Sequence, residues 1–172
     1  LISPNLLNEE RLLQLRRAGT DAVGIGLDAA SPSVFERTRG RDVRGPLSWD
    51  QYWQMINEAR RIFGPHRVNA HIVVGIGETD RELVELFASL NQMQVAVYLF
   101  AFYPEADSQM ARRKRPSLRR FRRIQLVKHL LERGWLGPDR VKYDERGRIR
   151  RLHIRPEVVE EAIAGGRPFL TG

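Results

Sequence analysis

The amino-acid sequence predicts an α/β fold built on a parallel sheet. Short, almost continuously apolar segments alternate with longer segments whose apolar residues recur at helical spacing. Strands joined through helices of this length need crossover connections, which make neighbouring strands parallel. Strands with so few polar residues are typical of a sheet that helices cover. A chain of 172 residues has room for one compact domain with a hydrophobic core.

The first predicted strands and helices have residues at their ends that are typical of such boundaries. Residues 1–4 are expected to end a strand, and Asn8 is a good N-cap for a helix that stops at Gly19. Residues 22–27 form a short apolar run bounded by polar residues, which predicts a buried strand. A short helix is expected over residues 32–38.

Two capping boxes predict the starts of the next two helices. Ser48 stands three residues before Gln51, and Thr79 stands three residues before Glu82, each ahead of an apolar helical pattern. Between these helices, residues 68–74 read as a further strand.

The last part of the chain changes its pattern after Gly134. Residues 93–102 predict a strand, and Ser117 caps a long helix that ends near Gly134. Beyond it we expect a β-hairpin and a short helix, over residues 141–143, 148–154 and 156–164. The sequence is therefore divided into residues 1–134 and an extension over residues 135–172.

The composition excludes several kinds of site within these residues. The chain contains no cysteine, so it has no disulfide, no CxxC zinc site and no thiolate ligands for an iron–sulfur cluster. The longest apolar run is eight residues, which is too short to span a bilayer, and no signal peptide is visible. We expect a cytoplasmic protein.

The charge is strongly positive, with a formal net charge of +8, and it is densest over residues 112–123. That run has eight basic and no acidic residues, and the arginines of its second half lie off an apolar helix face. A solvated helix face is the favoured interpretation, and a docking surface for an acidic partner is the second. Nucleic acid is less favoured, because the only aromatic in the run, Phe121, belongs to the apolar face and cannot stack on bases.

Polar or glycine residues follow every predicted strand. In parallel α/β folds the functional site lies at the carboxyl ends of the strands. Four places therefore qualify as parts of a site: residues 3–5, Asp28, residues 75–78 and residues 103–107.

Asp28 ends an apolar strand, where an ionised carboxylate must find hydrogen-bond donors. The two hydroxyls of a ligand diol would satisfy it. It could equally cap the following helix or pair with a loop arginine such as Arg41 or Arg44. The residues alone leave these alternatives open.

Gly75, Gly77 and Glu78 join a strand to a capped helix, an arrangement that suits a carboxylate or a phosphate. A structural role for Glu78, tying the turn together, is the favoured interpretation. His71 shares a strand face with Val73, and a hydrogen-bonded core role is favoured over a contact with a cofactor. No histidine in the chain has metal-ligand spacing.

Residues 8–10, 15–21 and 23–28 resemble the third helix and fourth strand of the radical S-adenosylmethionine (SAM) enzymes. Residues 71–79 resemble the GxIxGxxE strand and turn of that family, and the nearest branch is biotin synthase and lipoyl synthase. His71 stands where the motif has its first glycine, and Val73 replaces its isoleucine. The resemblance, which covers about residues 1–134, implies a partial (β/α) barrel of which this chain holds the second half.

The resemblance also implies a set of SAM contacts. It places the ribose hydroxyls on Asp28, the adenine near residues 98–103, and the SAM carboxylate near Arg41 or Arg44. The cofactor-binding residues expected from it are Asp28, His71, Val73, Gly75, Gly77, Glu78, Tyr103 and Arg44.

For the intact protein, the resemblance implies cleavage of SAM to a 5′-deoxyadenosyl radical that abstracts hydrogen, with sulfur insertion as the expected outcome. It implies a [4Fe–4S] cluster held by a CxxxCxxC loop upstream of this segment. The expected partners are a small molecule or an acyl chain on an acidic carrier protein, and an electron donor such as ferredoxin or flavodoxin. Membrane and nucleic acid are not expected as partners.

Two other functions remain open from the residues alone. One is a cluster-free parallel-barrel enzyme that binds a phosphorylated small molecule at residues 75–78. The other is a non-catalytic basic α/β module that binds RNA or an acidic protein.

Overall fold

The computed structural model of the protein describes residues 4–170. The strand end expected at residues 1–4 and the first candidate site segment, residues 3–5, therefore lie wholly or partly outside the described residues. Within them, three strands form one parallel sheet in the order β1–β2–β3: β1 (Val23–Asp28), β2 (Val68–Val74) and β3 (Ala96–Ala101). This confirms the predicted α/β class.

Helices alternate with these strands as the sequence predicts. They are α1 (Glu9–Arg17), α2 (Pro32–Thr38), α3 (Trp49–Phe63), α4 (Asp80–Gln92), α5 (Leu118–Glu132) and α6 (Pro156–Ala164). Short 3-10 turns occupy Pro4–Leu6, Arg41–Val43, Pro138–Arg140 and Arg167–Phe169. Both predicted capping boxes are formed, at the starts of α3 and α4. None of the helices in residues 4–170 is both long and apolar enough to cross a membrane.

The two faces of the sheet differ. Along β2, alternate residues from Val68 to Val74 are fully buried and belong to one hydrophobic core with apolar residues of α3 and α4. On the other face, His71 and Val73 are half-exposed, and their register partners Tyr98 and Phe100 are 39% and 47% exposed. The expectation of a sheet covered by helices therefore holds for one face only.

Strand β3 is shorter than the predicted residues 93–102, because the preceding helix extends further. Met93 is the C-cap of α4, and its N–H bonds the carbonyl of Ser89. Gln94 then adopts a left-handed conformation (φ 57°), which turns the chain into the strand. Apolar residues that end a helix and apolar residues that begin a strand look alike in the sequence.

The C-terminal extension forms the predicted hairpin, β4 (Val141–Tyr143) and β5 (Ile149–Leu152), which are antiparallel. It is anchored on α4: the Ile149 N–H donates to Asp80 Oδ2 at 3.1 Å, and the Arg81 N–H donates to the Gly147 carbonyl at 3.0 Å. Gly147 has φ +69°, and a Cβ there would lie 2.9 Å from Thr79 Cβ, so this close approach requires glycine.

Candidate functional site at the carboxyl ends of the strands

The predicted site residues gather along one edge of the sheet because the three strands are parallel. Asp28 lies at the end of β1, the glycine turn (Gly75–Glu78) follows β2, and Tyr103 follows β3. The Phe102 N–H donates to the Val74 carbonyl at 2.8 Å, so the last two strand ends stay side by side.

Asp28 has an unusual backbone conformation. It adopts φ +60°, directly after a register shift between Gly26 and Asp28 in the pairing with β2. Aspartate is one of the few non-glycine residues that tolerate this left-handed region, and such residues cluster at functional sites. The side chain of Asp28 is 30% exposed.

The partner of Asp28 is Arg39, which no pattern in the sequence singled out. Arg39 forms an ion pair with Asp28, its Nε donates to Tyr52 Oη at 3.0 Å, and its guanidinium lies over the Tyr52 ring. The alternative of a loop arginine was right in kind but wrong in residue. Tyr52 lies in α3, where its side chain is part of the hydrophobic core.

The two arginines expected near Asp28 lie in the loop between α2 and α3. Arg41 Nε bonds Glu36 Oε2 at 3.3 Å, and the Arg41 N–H also bonds this carboxylate and holds the pKa of Glu36 below its ordinary value. Arg44 is exposed, adopts φ 57°, and forms no ion pair with any residue from 4 to 170.

Glu78 closes the glycine turn with its own side chain. Its carboxylate accepts the N–H groups of Gly75 at 2.7 Å, Ile76 at 2.9 Å and Gly77 at 3.0 Å. The side chain is fully buried, and Arg120 Nη2 lies 3.0 Å from its Oε1. The structural role favoured for Glu78 is therefore what the geometry shows. These three amides are occupied, which removes the anion site that a cluster-free phosphate-binding enzyme would need here.

The two glycines of the turn have different surroundings. Gly75 is buried at φ +112°, and a Cβ there would lie 2.8 Å from Pro116 Cδ and 3.2 Å from Phe102 Cβ. Gly77 is exposed at φ +129°, and the nearest atoms to a Cβ there would be those of the Arg113 guanidinium, from 3.4 Å. Gly77 is open to a ligand, whereas Gly75 is covered by the chain that follows β3.

His71 lies on the open face of the sheet and is held by its neighbours. Its Nε2 is 2.9 Å from Asn69 Oδ1, and its ring centroid is 5.1 Å from that of Phe100 and 5.7 Å from that of Tyr98. Partial burial holds the pKa of His71 below its ordinary value, which favours the neutral imidazole. A Cβ on Gly24 would lie 2.7 Å from Asn69 Oδ1, so β1 leaves room for this pair.

Tyr103 extends the aromatic surface beyond the end of β3. It is 57% exposed, and the Arg115 guanidinium lies 3.8 Å from its ring centroid. An exposed tyrosine with a cation stacked on one face keeps its other face available for a flat ligand.

Three arginines of the arginine-rich helix α5 bond residues of other elements. Arg120 Nε bonds Asp80 Oδ1 at 2.8 Å, in addition to its contact with Glu78. Arg122 donates to the Phe169 carbonyl at 2.8 Å, and Arg123 donates to the Ile149 carbonyl at 3.0 Å. The interpretation as a solvated face is wrong for Arg120 and Arg123, whose side chains are partly buried, whereas Arg122 stays exposed. A helical pattern shows which residues lie off the apolar face but not what packs against them.

The open face has exposed aromatic rings, and the end of β1 has a partly exposed carboxylate. A nucleoside needs a flat apolar surface and an acceptor for its ribose hydroxyls, and Tyr98, Phe100 and Asp28 have those properties. Residues 4–170 contain no group of three histidine, aspartate or glutamate side chains that could hold a metal ion, and the sequence has no cysteine. A [4Fe–4S] cluster therefore finds no ligand set in these residues.

Comparison with known proteins points to the same chemistry. The sequence model of the radical SAM superfamily matches residues 1–90, just over half of the 172 residues. The match includes Asp28 and the glycine turn, whereas β3, Tyr103 and α5 lie beyond it. No curated protein shows significant similarity to the chain. The family model and the parallel sheet of a partial (β/α) barrel together show that this chain belongs to the radical SAM superfamily.

Proposed function

We propose that the open face of this sheet binds SAM, with the ribose hydroxyls on Asp28. The observation that carries the proposal is the Asp28 carboxylate itself, which is partly exposed at a left-handed strand end beside that face. Its ion-pair partner, Arg39, is 34% exposed. An ion pair exposed to this degree contributes little stability, so a diol can take over one carboxylate oxygen at small cost.

The remaining proposed contacts come from side chains on the open face and at the end of β3. The adenine lies against Tyr98, Phe100 and Tyr103, which are exposed on the open face and at the end of β3. His71 and Val73 form the floor between β1 and β3.

The polar end of SAM lies toward the loops. The exposed Gly77 backbone borders the methionine end, and the exposed guanidinium of Arg44 meets the carboxylate. Gly75 and Glu78 act by shaping the turn, since one is buried and the other has its carboxylate engaged.

The chemistry proposed for the intact protein is that of the superfamily, in which SAM on a reduced [4Fe–4S] cluster supplies a 5′-deoxyadenosyl radical. Sulfur insertion of the lipoyl synthase or biotin synthase type is the specific reaction we propose, supported by the resemblance of residues 8–28 and 71–79. The proposed partners are a small molecule or an acyl chain on an acidic carrier protein, and an electron donor such as ferredoxin or flavodoxin.

The cluster ligands give a first test of this proposal. The full reading frame is expected to encode CxxxCxxC before Leu1. A frame without these cysteines contradicts the radical SAM chemistry for this protein.

The role of Asp28 is tested by SAM binding to protein expressed from its full reading frame and reconstituted anaerobically. Asp28→Asn keeps the side-chain size and tolerates the left-handed backbone, but it removes the charge that accepts from the diol. We expect the Kd for SAM, measured by equilibrium dialysis, to rise about tenfold or more, corresponding to the loss of charge-assisted hydrogen bonds.

The matched control is Asp21→Asn. Asp21 is 86% exposed, lies just before β1 at the opposite end of the strand, and pairs with Arg67 at 3.4 Å. The substitution removes the same charge and one ion pair, and we expect no change in the Kd. Equal affinity of Asp28→Asn and the unsubstituted protein would assign Asp28 a structural role only.

A further inference from the structure

A basic groove lies between the start of α5 and the β4–β5 hairpin, and we name it the arginine groove. Its volume is about 730 Å³. It is lined by Glu78, Thr79, Asp80, Ser117, Arg119, Arg120, Arg123, Arg146, Arg148 and Arg150. We propose that the arginine groove is the docking site for an acidic surface of a partner protein.

The groove has an excess of positive charge, with six arginines against the carboxylates of Glu78 and Asp80 among its lining residues. Asp144 in the hairpin turn offsets part of this charge, because the backbone N–H of Arg148 and the charges of Arg148 and Arg150 lower the pKa of Asp144. Arg119, Arg146, Arg148 and Arg150 are exposed, and none of them forms an ion pair within residues 4–170. The carboxylates in its floor do not neutralise them. Glu78 is engaged by the glycine turn, and Asp80 is engaged by Arg120 and the Ile149 N–H. Several like charges that line one groove favour an anionic partner.

The walls of the groove are held in place before any partner binds. Arg123 bonds the Ile149 carbonyl, Asp80 bonds the Ile149 N–H, and the turn at Gly147 packs on Thr79. These contacts join the hairpin to α4 and α5 on both sides. A preformed surface loses little conformational entropy on binding, so its charges contribute more to affinity.

The shape and composition of the groove favour an acidic protein over nucleic acid. None of its lining residues in the described part of the chain is aromatic, so it lacks a platform on which bases could stack. Guanidinium groups spread along an open groove match carboxylates presented by a helix or loop, which they bind through paired hydrogen bonds.

A single bound phosphate fits less well, because the helix starts that border the groove are already capped. The Arg120 N–H at the start of α5 donates to Ser117 Oγ, and the Glu82 N–H at the start of α4 donates to Thr79 Oγ1. The Thr79 N–H itself donates to the Glu82 carboxylate. These backbone donors are therefore already engaged and are not offered to a compact anion.

The arginine groove lies next to the candidate site. Glu78 and Thr79 belong both to the groove and to the chain that follows β2, so a docked partner lies at the edge of the sheet where the candidate site lies. The proposal stands on charge and geometry, and it does not depend on SAM binding.

The other side of the hairpin offers a matched control. A second groove of about 790 Å³ contains Arg140, Arg151 and Arg155, but it also contains the exposed carboxylate of Glu161 and the aromatic ring of Trp135. Substitution of three arginines in either groove removes the same charge, so any difference reports on position and not on net charge.

The test uses a fluorescein-labelled oligoglutamate peptide and fluorescence anisotropy with the full-length protein. The triple variant Arg146→Gln, Arg148→Gln and Arg150→Gln is compared with the control Arg140→Gln, Arg151→Gln and Arg155→Gln. We expect the first variant to weaken peptide binding about tenfold or more and to flatten its salt dependence. The control variant should weaken binding about twofold or less.

Three results would overturn the proposal. The first is equal loss of peptide binding in both variants, which would indicate net charge alone. The second is a single-stranded oligonucleotide that binds more tightly than the peptide and is lost in the first variant only. The third is displacement of the peptide by inorganic pyrophosphate at concentrations below those of the peptide. SAM affinity measured on the same two variants should stay unchanged, which separates this test from that of Asp28.

Discussion

Two carboxylates stand at neighbouring strand ends, and their surroundings are opposite. Glu78 is fully buried and accepts three backbone N–H groups in addition to its contact with Arg120. Asp28 is partly exposed and pairs with Arg39 at the surface. The first carboxylate is committed to the protein, whereas the second has acceptor capacity left for a ligand.

This difference separates a carboxylate with a structural role from one that can bind a ligand at the end of a strand. Both residues follow apolar strands, and both suit ligand binding when only the sequence is considered. The number of internal donors that each carboxylate has already accepted distinguishes them. Substitutions at and around the two strand ends test whether the two carboxylates differ in this way.

Substitution of Glu78 should have the largest effect on stability. Glu78→Gln removes one of the two buried carboxylates that Arg120 contacts, the other being Asp80, and turns an amide NH₂ toward donors of the turn. We expect the free energy of unfolding to fall by about 3 kcal/mol. Urea denaturation monitored by circular dichroism measures this change.

Asp28→Asn is the comparison for that measurement. Loss of a partly exposed ion pair should lower the free energy of unfolding by about 1 kcal/mol or less. Equal destabilisation by the two substitutions would remove the distinction between the two strand ends.

Gly75→Ala should destabilise the second strand end by an intermediate amount. The substitution forces a Cβ onto a backbone with φ +112° and places it 2.8 Å from Pro116 Cδ. We expect a loss of about 2 kcal/mol from strain and crowding together. The same urea denaturation measures it.

Gly19→Ala separates these two causes. Gly19 has φ +91°, but no atom of the described residues lies within 4 Å of the place that a Cβ would take, so its substitution reports the conformational cost alone. We expect about 1 kcal/mol there. If Gly19→Ala costs as much as Gly75→Ala, close packing against Pro116 contributes nothing.

The smallest effect concerns the pH dependence of stability through His71. Burial lowers the pKa of His71 in the folded protein, so the unfolded chain binds more protons as the pH falls through the ordinary histidine value of 6.5. The free energy of unfolding should therefore decrease as the pH falls from about 7 to about 5.

His71→Gln should flatten this dependence, measured by urea denaturation across the same pH range. His129 also has a pKa lowered mainly by burial, so part of the slope should remain in that variant. An unchanged slope in His71→Gln would show that the open face does not desolvate this imidazole.

Much of the fold could be predicted because its signals are local. The capping boxes at Ser48 and Thr79 and the apolar periods between them place helices and strands, since each signal depends on residues a few positions apart. The bounds of β2, for example, agree with the prediction at both ends. The boundary before β3 was missed where two apolar elements meet without a turn residue between them.

The candidate site was only partly predictable. Asp28 and the glycine turn were found because polar and glycine residues follow apolar strands. Arg39 was missed because it follows a short helix and no local pattern distinguishes it from Arg41 or Arg44. The role of Asp80 was also missed. An aspartate in the first turn of a helix is ordinarily explained by its favourable interaction with the helix dipole, so nothing pointed to a further partner.

The α/β class, the order of the elements and the strand ends with the candidate site residues follow from local patterns in the sequence. Which face of the sheet stays open, which carboxylate has its acceptor capacity filled and which arginines bond other elements depend on the packing of the fold. These contacts join residues that are far apart along the chain. Arg120 meets the Glu78 backbone across 42 positions, and Ile149 meets Asp80 across 69, so these partners are chosen by how the elements pack.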